Sequence, residues 1–187
     1  MSKNDRDRWN VRHGSRGHGG ASDRPAPFFV EHASLLAPGR TLDVAAGRGR
    51  NALFLAANGH RVIAADVARE ALAEIRTPSI QPVCMDLDDP GFRGGAFDNV
   101  VCVNFLDRRL FPEFARWLRP GGALLVDTFL IDQKDVGHPR NPDFLLRRNE
   151  LRSLLTDGWR VLELREGRVE EDGAISFHAS AVAVRAG

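Results

Sequence analysis

The stretch TLDVAAGRGRNALFLAANG, residues 41–59, decides the fold of this chain. It starts as a short apolar segment, passes through a bend with two glycines, and continues as a helical pattern. Glycine at a bend permits backbone conformations that other residues avoid, and it leaves space for a ligand. We therefore predict a strand over 40–46 and a helix over 51–59, with Gly59 as its left-handed cap.

Strand and helix patterns alternate along the rest of the chain. Short apolar runs predict strands over 61–66, 80–86, 97–105, 121–129, 159–166 and 174–185. Apolar residues at helical spacing predict helices over 68–76, 107–119 and 149–158. Such alternation implies a doubly wound α/β sheet of the Rossmann-like type, mostly parallel, with helices on both faces. The turn signal Asp172–Gly173 makes the last two strands a hairpin, so the last strand is antiparallel.

Length, charge and cysteine usage limit the class of protein. The 187 residues suit one domain, which we expect over 28–187, preceded by a flexible arm or lid over 1–27. The arm carries a net charge of +3 and the remainder about −2, which leaves no broad basic face for nucleic acid. No apolar run reaches the roughly 18 residues of a membrane span. The two cysteines lack the spacing of a metal site, so we expect neither a disulfide nor a bound metal. Such cysteine usage favours a cytoplasmic location.

The bend and the end of the second strand predict a ligand site. In a doubly wound sheet, ligands bind at the carboxyl ends of the strands. Gly47 and Gly49 lie there, and the helix after them points free N–H groups toward the same edge. Asp66 ends the second strand about 20 positions later, where a carboxylate accepts hydrogen bonds from two ribose hydroxyls. These features predict a nucleoside-bearing cofactor, and they do not distinguish which one.

Two cofactors fit this pattern. The run GRGRNA, residues 47–52, has the G-x-G-x-x-A form of the dinucleotide fingerprint, so NAD is one candidate. S-adenosylmethionine is the other. Asp43 lies four residues before the first glycine, where a carboxylate would attract the ammonium of an amino acid and repel a pyrophosphate. The closing hairpin also departs from the parallel continuation that is usual in dinucleotide domains. Both observations favour S-adenosylmethionine.

Residues about 28–185 resemble the class I S-adenosylmethionine-dependent methyltransferases, and most of all the small bacterial enzymes of the tellurite-resistance and thiopurine methyltransferase type. The first family motif, an acidic residue followed by x-G-x-G-x-G, is matched by Asp43, Gly47 and Gly49. Ala45 departs from it, because the family has its first glycine there. The resemblance implies ribose binding by the acidic residue of the second motif and adenine binding by that after the third strand. The implied cofactor contacts are Asp43, Ala45, Gly47, Arg48, Gly49, Asn51, Asp66, Val67, Asp86, Leu87, Asn104 and Phe105.

The resemblance implies methyl transfer from S-adenosylmethionine to a small-molecule acceptor, with a thiol or chalcogen oxyanion as candidate. The alternatives are an NAD-binding oxidoreductase and a non-catalytic S-adenosylmethionine-binding domain. We expect a monomer or homodimer that engages neither nucleic acid nor membrane.

The sequence does not identify the catalytic residues. A soft or ionised acceptor needs no general base, whereas a hydroxyl or amine needs one. His138 and Arg140, in the loop after the fifth strand, and His13, in the arm, are the candidates. The final strand's His178 is expected to be structural. Further expectations concern an anion-binding arginine at the bend, an aromatic lid and inert buried cysteines, and they involve Arg48, Arg50, Trp9, Phe28, Phe29, Cys84 and Cys102.

Overall fold

The computed structural model describes residues 24–171 and 173–187. Most of the predicted arm over 1–27, with His13 and Trp9, lies outside this part of the chain, so those predictions stay untested. None of the helices in the described part is long and apolar enough to cross a bilayer.

Seven strands form one mixed sheet. They are β1 Arg40–Val44, β2 Arg61–Asp66, β3 Ile80–Cys84, β4 Phe97–Val103, β5 Leu118–Phe129, β6 Trp159–Glu171 and β7 Ala174–Arg185. Their order in the sheet is β3-β2-β1-β4-β5-β7-β6. The first five strands pair in parallel, and β7 runs antiparallel to both β5 and β6. The predicted α/β sheet, mostly parallel with an antiparallel last strand, is confirmed.

Helices cover both faces of this sheet. They are α1 Pro27–His32, α2 Arg50–Ala57, α3 Arg69–Leu72, α4 Leu110–Trp117 and α5 Glu150–Leu154. Single 3-10 turns span Ala33–Leu35, Ile131–Asp135 and Pro142–Phe144. The helix predicted over 68–76 contains only four helical residues, because the chain must turn before Pro78 to enter β3. Gly59 has φ 85°, as its predicted left-handed cap requires.

Strand β5 starts earlier than its sequence predicts. We expected Pro120 and two glycines to form a turn before a strand over 121–129, but β5 begins at Leu118 and runs through them. Gly121 adopts φ 76°, and the pairing with β4 shifts register between Phe97 and Asn99. The glycine therefore makes a local irregularity within the strand, which is the usual role of glycine inside a strand.

Two apolar clusters lie on opposite faces of the sheet. Trp117 and Phe114 of α4 pack on one face, and Phe29 of α1 and Leu55 of α2 pack on the other. Phe29 is fully buried and meets Phe54 edge-on at 5.4 Å between ring centroids, so it belongs to the core and not to a lid.

The two cysteines differ in environment. Cys102 of β4 is buried as predicted, whereas Cys84 is exposed. The expectation of a buried Cys84 is wrong because β3 is an edge strand, next to β2 only. An edge strand has a neighbour on one side only, so its side chains are covered less completely.

Candidate active site

The bend after β1 contains three residues in the left-handed region. Ala45, Gly47 and Gly49 have φ values of 55°, 54° and 80°. A Cβ on Gly49 would lie 2.6 Å from Cδ1 of Ile75, so both its backbone and its packing require glycine. Ala45 adopts the same backbone region with a methyl group, at a cost of roughly 1 kcal/mol. The bend predicted from the glycines therefore forms, with backbone strain at the position where the family pattern has glycine.

Asp66 organises this bend. Its Oδ2 accepts a hydrogen bond from the Gly47 amide at 2.8 Å, and its Oδ1 accepts one from the Ala68 amide at 2.7 Å. A carboxylate offers about four acceptor sites, so two remain after these bonds. The side chain is 7% exposed and lies at the carboxyl edge of the sheet, as the predicted contact with a ribose would require.

Asp43 provides the test of whether this edge fits S-adenosylmethionine. Its carboxylate is 1% exposed, and its Oδ2 has no hydrogen-bond partner in the described part of the chain. Burial, followed by the charge of Asp66, raises the pKa of Asp43 to about 7. Oδ1 of Asn51, at the start of α2, is likewise buried without a partner among the described residues. Two buried acceptors without donors suit a cationic donor group such as an ammonium, so the residues fit an amino-acid moiety.

The remaining predicted cofactor contacts lie at the ends of β3 and β4. Asp86 Oδ1 accepts from the Asp88 amide at 3.0 Å, and Leu87 is buried. Asn104 follows β4 with φ 57°, and its amide donates to the Asp127 carbonyl at 2.7 Å. A cavity of about 360 Å³ lies alongside, with apolar walls from Leu87, Phe105 and Phe144.

Hydrogen bonds from one arginine fix the loop over residues 143–145, on the far side of this cavity. Arg108 donates to both oxygens of Glu150, at 2.6 and 3.0 Å, and to the carbonyls of Asp143 and Leu145. The hydrogen bond to Arg108 lowers the pKa of Glu150. The segment that carries Phe144 is thus fixed to the start of α4.

Other predicted residues make contacts away from the bend. Arg48 lies 3.6 Å from Glu74, and Arg50 donates to the Arg24 carbonyl at 3.2 Å. His138 and Arg140 are exposed on the loop after β5. The His138 carbonyl accepts from Gln133 at 3.0 Å, and Arg140 donates to the carbonyl of Gly137 at 3.3 Å. Val67, after β2, is buried, and its carbonyl accepts from Cys84.

One polar cluster at this edge is absent from the residues predicted as catalytic. His178 of β7 lies with Nδ1 2.8 Å from Oδ1 of Asp127, and Ser180 donates to the same oxygen at 2.7 Å. Period-2 alternation puts His178 and Ser180 on one face of a strand, so that signal was present in the sequence. The pairing of β7 with β5, which brings these residues to Asp127, could not be read from the sequence.

Part of the chain is similar to known methyltransferases. The methyltransferase domain family model matches residues 41–122. A demethylmenaquinone methyltransferase of Beutenbergia cavernae is 37% identical over 98 residues, which are 48% of this chain and 40% of that protein. The chain therefore spans less than half the length of this curated relative.

Solved structures share the fold at low sequence identity. An S-adenosylmethionine-dependent methyltransferase of Methanosarcina mazei superposes with a TM-score of 0.71 at 20% identity, over 87% of this chain and 99% of that one. TehB of Haemophilus influenzae superposes with a TM-score of 0.68 at 20% identity, over 96% of this chain and 66% of that one. The cofactor of this type of domain is S-adenosylmethionine, which the buried acceptors at the bend also fit. Residues 41–122 thus match the methyltransferase domain family model, and the described fold is the one seen in solved S-adenosylmethionine-dependent methyltransferases.

Proposed function

We propose that the protein transfers a methyl group from S-adenosylmethionine to a small-molecule acceptor. The observation that carries this proposal is the buried carboxylate of Asp43, whose Oδ2 lacks a partner among the described residues. It lies beside the bend after β1, where Asp66 accepts a hydrogen bond from the Gly47 amide. A pyrophosphate would meet this buried carboxyl at close range, whereas an ammonium would supply the hydrogen-bond donor that it lacks.

Each part of the edge has a role in this proposal. Asp43 and Asn51 accept hydrogen bonds from the ammonium, and Asp66 accepts two from the ribose. Asp86, with Leu87, binds the adenine side. Bound S-adenosylmethionine supplies an electrophilic methyl carbon, while the protein orients the acceptor in line with it and excludes water.

A small acceptor agrees with the space beside the site. The cavity of about 360 Å³ falls within the range of small-molecule pockets. The sequence resemblance to the tellurite-resistance and thiopurine type supports a thiol or chalcogen oxyanion as one acceptor class. A cytoplasmic monomer or homodimer stays a prediction.

Calorimetry tests the cofactor. Wild type is titrated with S-adenosylmethionine, with its demethylated product and with NAD, and we expect binding of the first two only. Asp66→Ala should lose affinity by about 30-fold or more, because two charge-assisted hydrogen bonds to the ribose disappear. Asp98→Ala is the matched control: Asp98 accepts from the Arg40 amide at 2.6 Å, at the amino edge of the sheet, so the affinity should not change.

Product formation tests the reaction. Release of the demethylated cofactor is followed with panels of thiols, selenite and tellurite, hydroxyl compounds and amines. Turnover of any panel supports the proposal. Tight binding of NAD instead of S-adenosylmethionine would make the protein an oxidoreductase candidate, and binding without turnover would make it a non-catalytic domain.

A further inference from the structure

A histidine–aspartate pair, of which the aspartate is buried and the histidine partly buried, lies at the carboxyl edge of the sheet. Asp127 Oδ1 is 2.8 Å from His178 Nδ1 and accepts from Ser180 Oγ at 2.7 Å. The side chain of Asp127 is 4% exposed and that of His178 is 12% exposed. The pair is therefore shielded from bulk water while the imidazole keeps one accessible part.

Strand register locates this pair relative to the cofactor bend. Val103, the last residue of β4, is opposite Asp127, and Asp127 is opposite Ser180. His178 is two pairs further toward the carboxyl ends, opposite Phe129, and the two ring centroids are 4.6 Å apart. The pair thus reaches the level where β4 ends. Two strand spacings, about 10 Å, separate β4 from β7, with β5 between them.

The backbone connects Asp127 to the predicted cofactor edge. The amide of Asn104, the residue after β4, donates to the Asp127 carbonyl at 2.7 Å. On the same face of the sheet, the side chain of Val103 belongs to the cluster that contains Ala52 of α2. The His178–Asp127 pair and the bend after β1 therefore lie on the same face and at the same edge of the sheet.

Hydrogen bonding sets the chemical state of the imidazole. A carboxylate only accepts, so Nδ1 of neutral His178 carries the hydrogen and donates it to Asp127. The lone pair is then on Nε2, which makes no hydrogen bond within the described part of the chain and is not among its buried partnerless atoms. Nε2 is thus an accessible proton acceptor, and Asp127 stabilises the imidazolium that forms when it takes a proton.

The other charged groups around His178 are mostly paired. On β6, Gly167 is opposite His178, and Arg165 is opposite Ser180. Arg165 forms ion pairs with Glu31 of α1 and with Glu163. Other titratable groups of the elements packed nearby are His32 on α1, Glu166 and Arg168 on β6, Glu150 and Arg152 on α5, and Asp132, Lys134 and Asp135 on the 3-10 turn after β5. Asp132 is paired with Arg148, so Asp127 is the charge in direct contact with the imidazole.

We propose that His178 is the general base of the methyl transfer, with Asp127 as its positioning residue, and that the acceptor is a hydroxyl or amine. The inference rests on the proposed methyl transfer and selects among its acceptors. A thiolate or chalcogen oxyanion is already ionised and needs no base, so a base at this position favours a hydroxyl or amine instead. The acceptor's O–H or N–H bond breaks, its proton moves to Nε2, and its electron pair forms the bond to the methyl carbon. The carbon–sulfur bond breaks with its electrons left on sulfur, and the imidazolium then releases its proton to water.

His60 offers a matched comparison within the molecule. Its Nδ1 lies 2.8 Å from the Thr41 hydroxyl, it is buried whereas His178 is partly exposed, and it directly precedes β2 at the amino edge of the sheet. A histidine that only joins two strands should behave like His60. His178 differs in having a carboxylate partner and in lying at the carboxyl edge of the sheet, where ligands bind in doubly wound folds.

The test compares His178→Gln, Asp127→Asn and the control His60→Gln with wild type. Affinity for S-adenosylmethionine is measured by calorimetry, and turnover of the hydroxyl, amine and thiol panels is measured from pH 5 to 9. We expect His178→Gln to lower kcat with a hydroxyl acceptor by about 100-fold or more, and cofactor affinity to change less than about threefold. His60→Gln should keep the wild-type rate per folded molecule.

The pH profile separates catalysis from structure. Wild-type kcat/KM with a hydroxyl acceptor should rise with pH and then level off, and His178→Gln should lose this rise. Asp127→Asn should lower kcat with the same acceptor and leave cofactor affinity within about threefold, because the imidazole loses the carboxylate that orients it.

Three outcomes would overturn the inference. They are turnover by His178→Gln within threefold of wild type, a wild type that methylates only thiols or chalcogen oxyanions, and a loss of activity that follows cofactor affinity alone. Failure of wild type to bind S-adenosylmethionine would instead overturn the proposed function.

Discussion

Ala45 shows how a single residue modifies the bend that forms the site. Its φ of 55° is one that alanine adopts at a cost, and glycine would remove this cost. We expect Ala45→Gly to raise the free energy of unfolding by about 0.5 kcal/mol, because the relief of strain exceeds the larger entropy of the unfolded glycine. Chemical denaturation measures the change. Ala46→Gly, at the next position and without a positive φ, should destabilise by about 0.5–1 kcal/mol. Equal destabilisation by both changes would contradict the assignment of strain.

Asp43 couples the protonation of the site to stability. Its pKa is raised to about 7, from an ordinary 3.8, mainly by burial. The protonated form is therefore favoured in the folded protein, and stability that is present at pH 4 falls as the pH rises through 7.

Asp43→Asn should remove this pH dependence. Relative to wild type, the variant should gain on the order of 2 kcal/mol between pH 5 and pH 8 in the absence of cofactor. Denaturant unfolding at several pH values measures it. A constant difference between the two proteins across this range would show that the carboxyl is not perturbed.

At the scale of the element, position in the sheet decides the chemistry of the two cysteines. Cys84 is exposed on the edge strand β3, whereas Cys102 is buried in β4 between β1 and β5. Burial raises the pKa of the Cys102 thiol well above its ordinary value, so little thiolate forms there.

We expect a colourless disulfide reagent that releases a coloured thiol to modify one cysteine of the native protein quickly. The second should react only after unfolding. Cys84→Ser should abolish the fast phase, and Cys102→Ala should keep it. Two fast phases in the native protein would mean that β4 is accessible, against the sheet order described above.

Across the whole molecule, strand order sets the pattern of stability. Strands β1, β4 and β5 each lie between two neighbours, while β3 and β6 form the edges. Amides of the central strands should exchange hydrogen only through global unfolding, and amides of β3 should exchange faster through local opening.

Hydrogen exchange with mass spectrometry measures this difference. Cofactor at 100 times its Kd should add about 2.7 kcal/mol to the protection of the central strands, because it binds only the folded state. Protection of β3 equal to that of β1 in the absence of cofactor would contradict the expected hierarchy.

The sequence by itself determined the features that depend on neighbouring residues. Glycines at 47 and 49 predict the bend, the alternation of patterns predicts the α/β sheet, and Asp66 at the end of a short apolar run predicts a polar group at the site. These signals are local, since backbone conformation and strand or helix periodicity act over a few residues.

The tertiary structure decided what depends on distant segments. It exposed Cys84, buried Asp43 deeply enough to raise its pKa, and brought His178 to Asp127 across 51 positions of sequence. Which strand lies at an edge, and which lies next to which, follows from pairing and burial summed over the whole sheet. No short stretch of sequence contains that sum, so the charge state of the site and its candidate base emerged only when the strands were packed together.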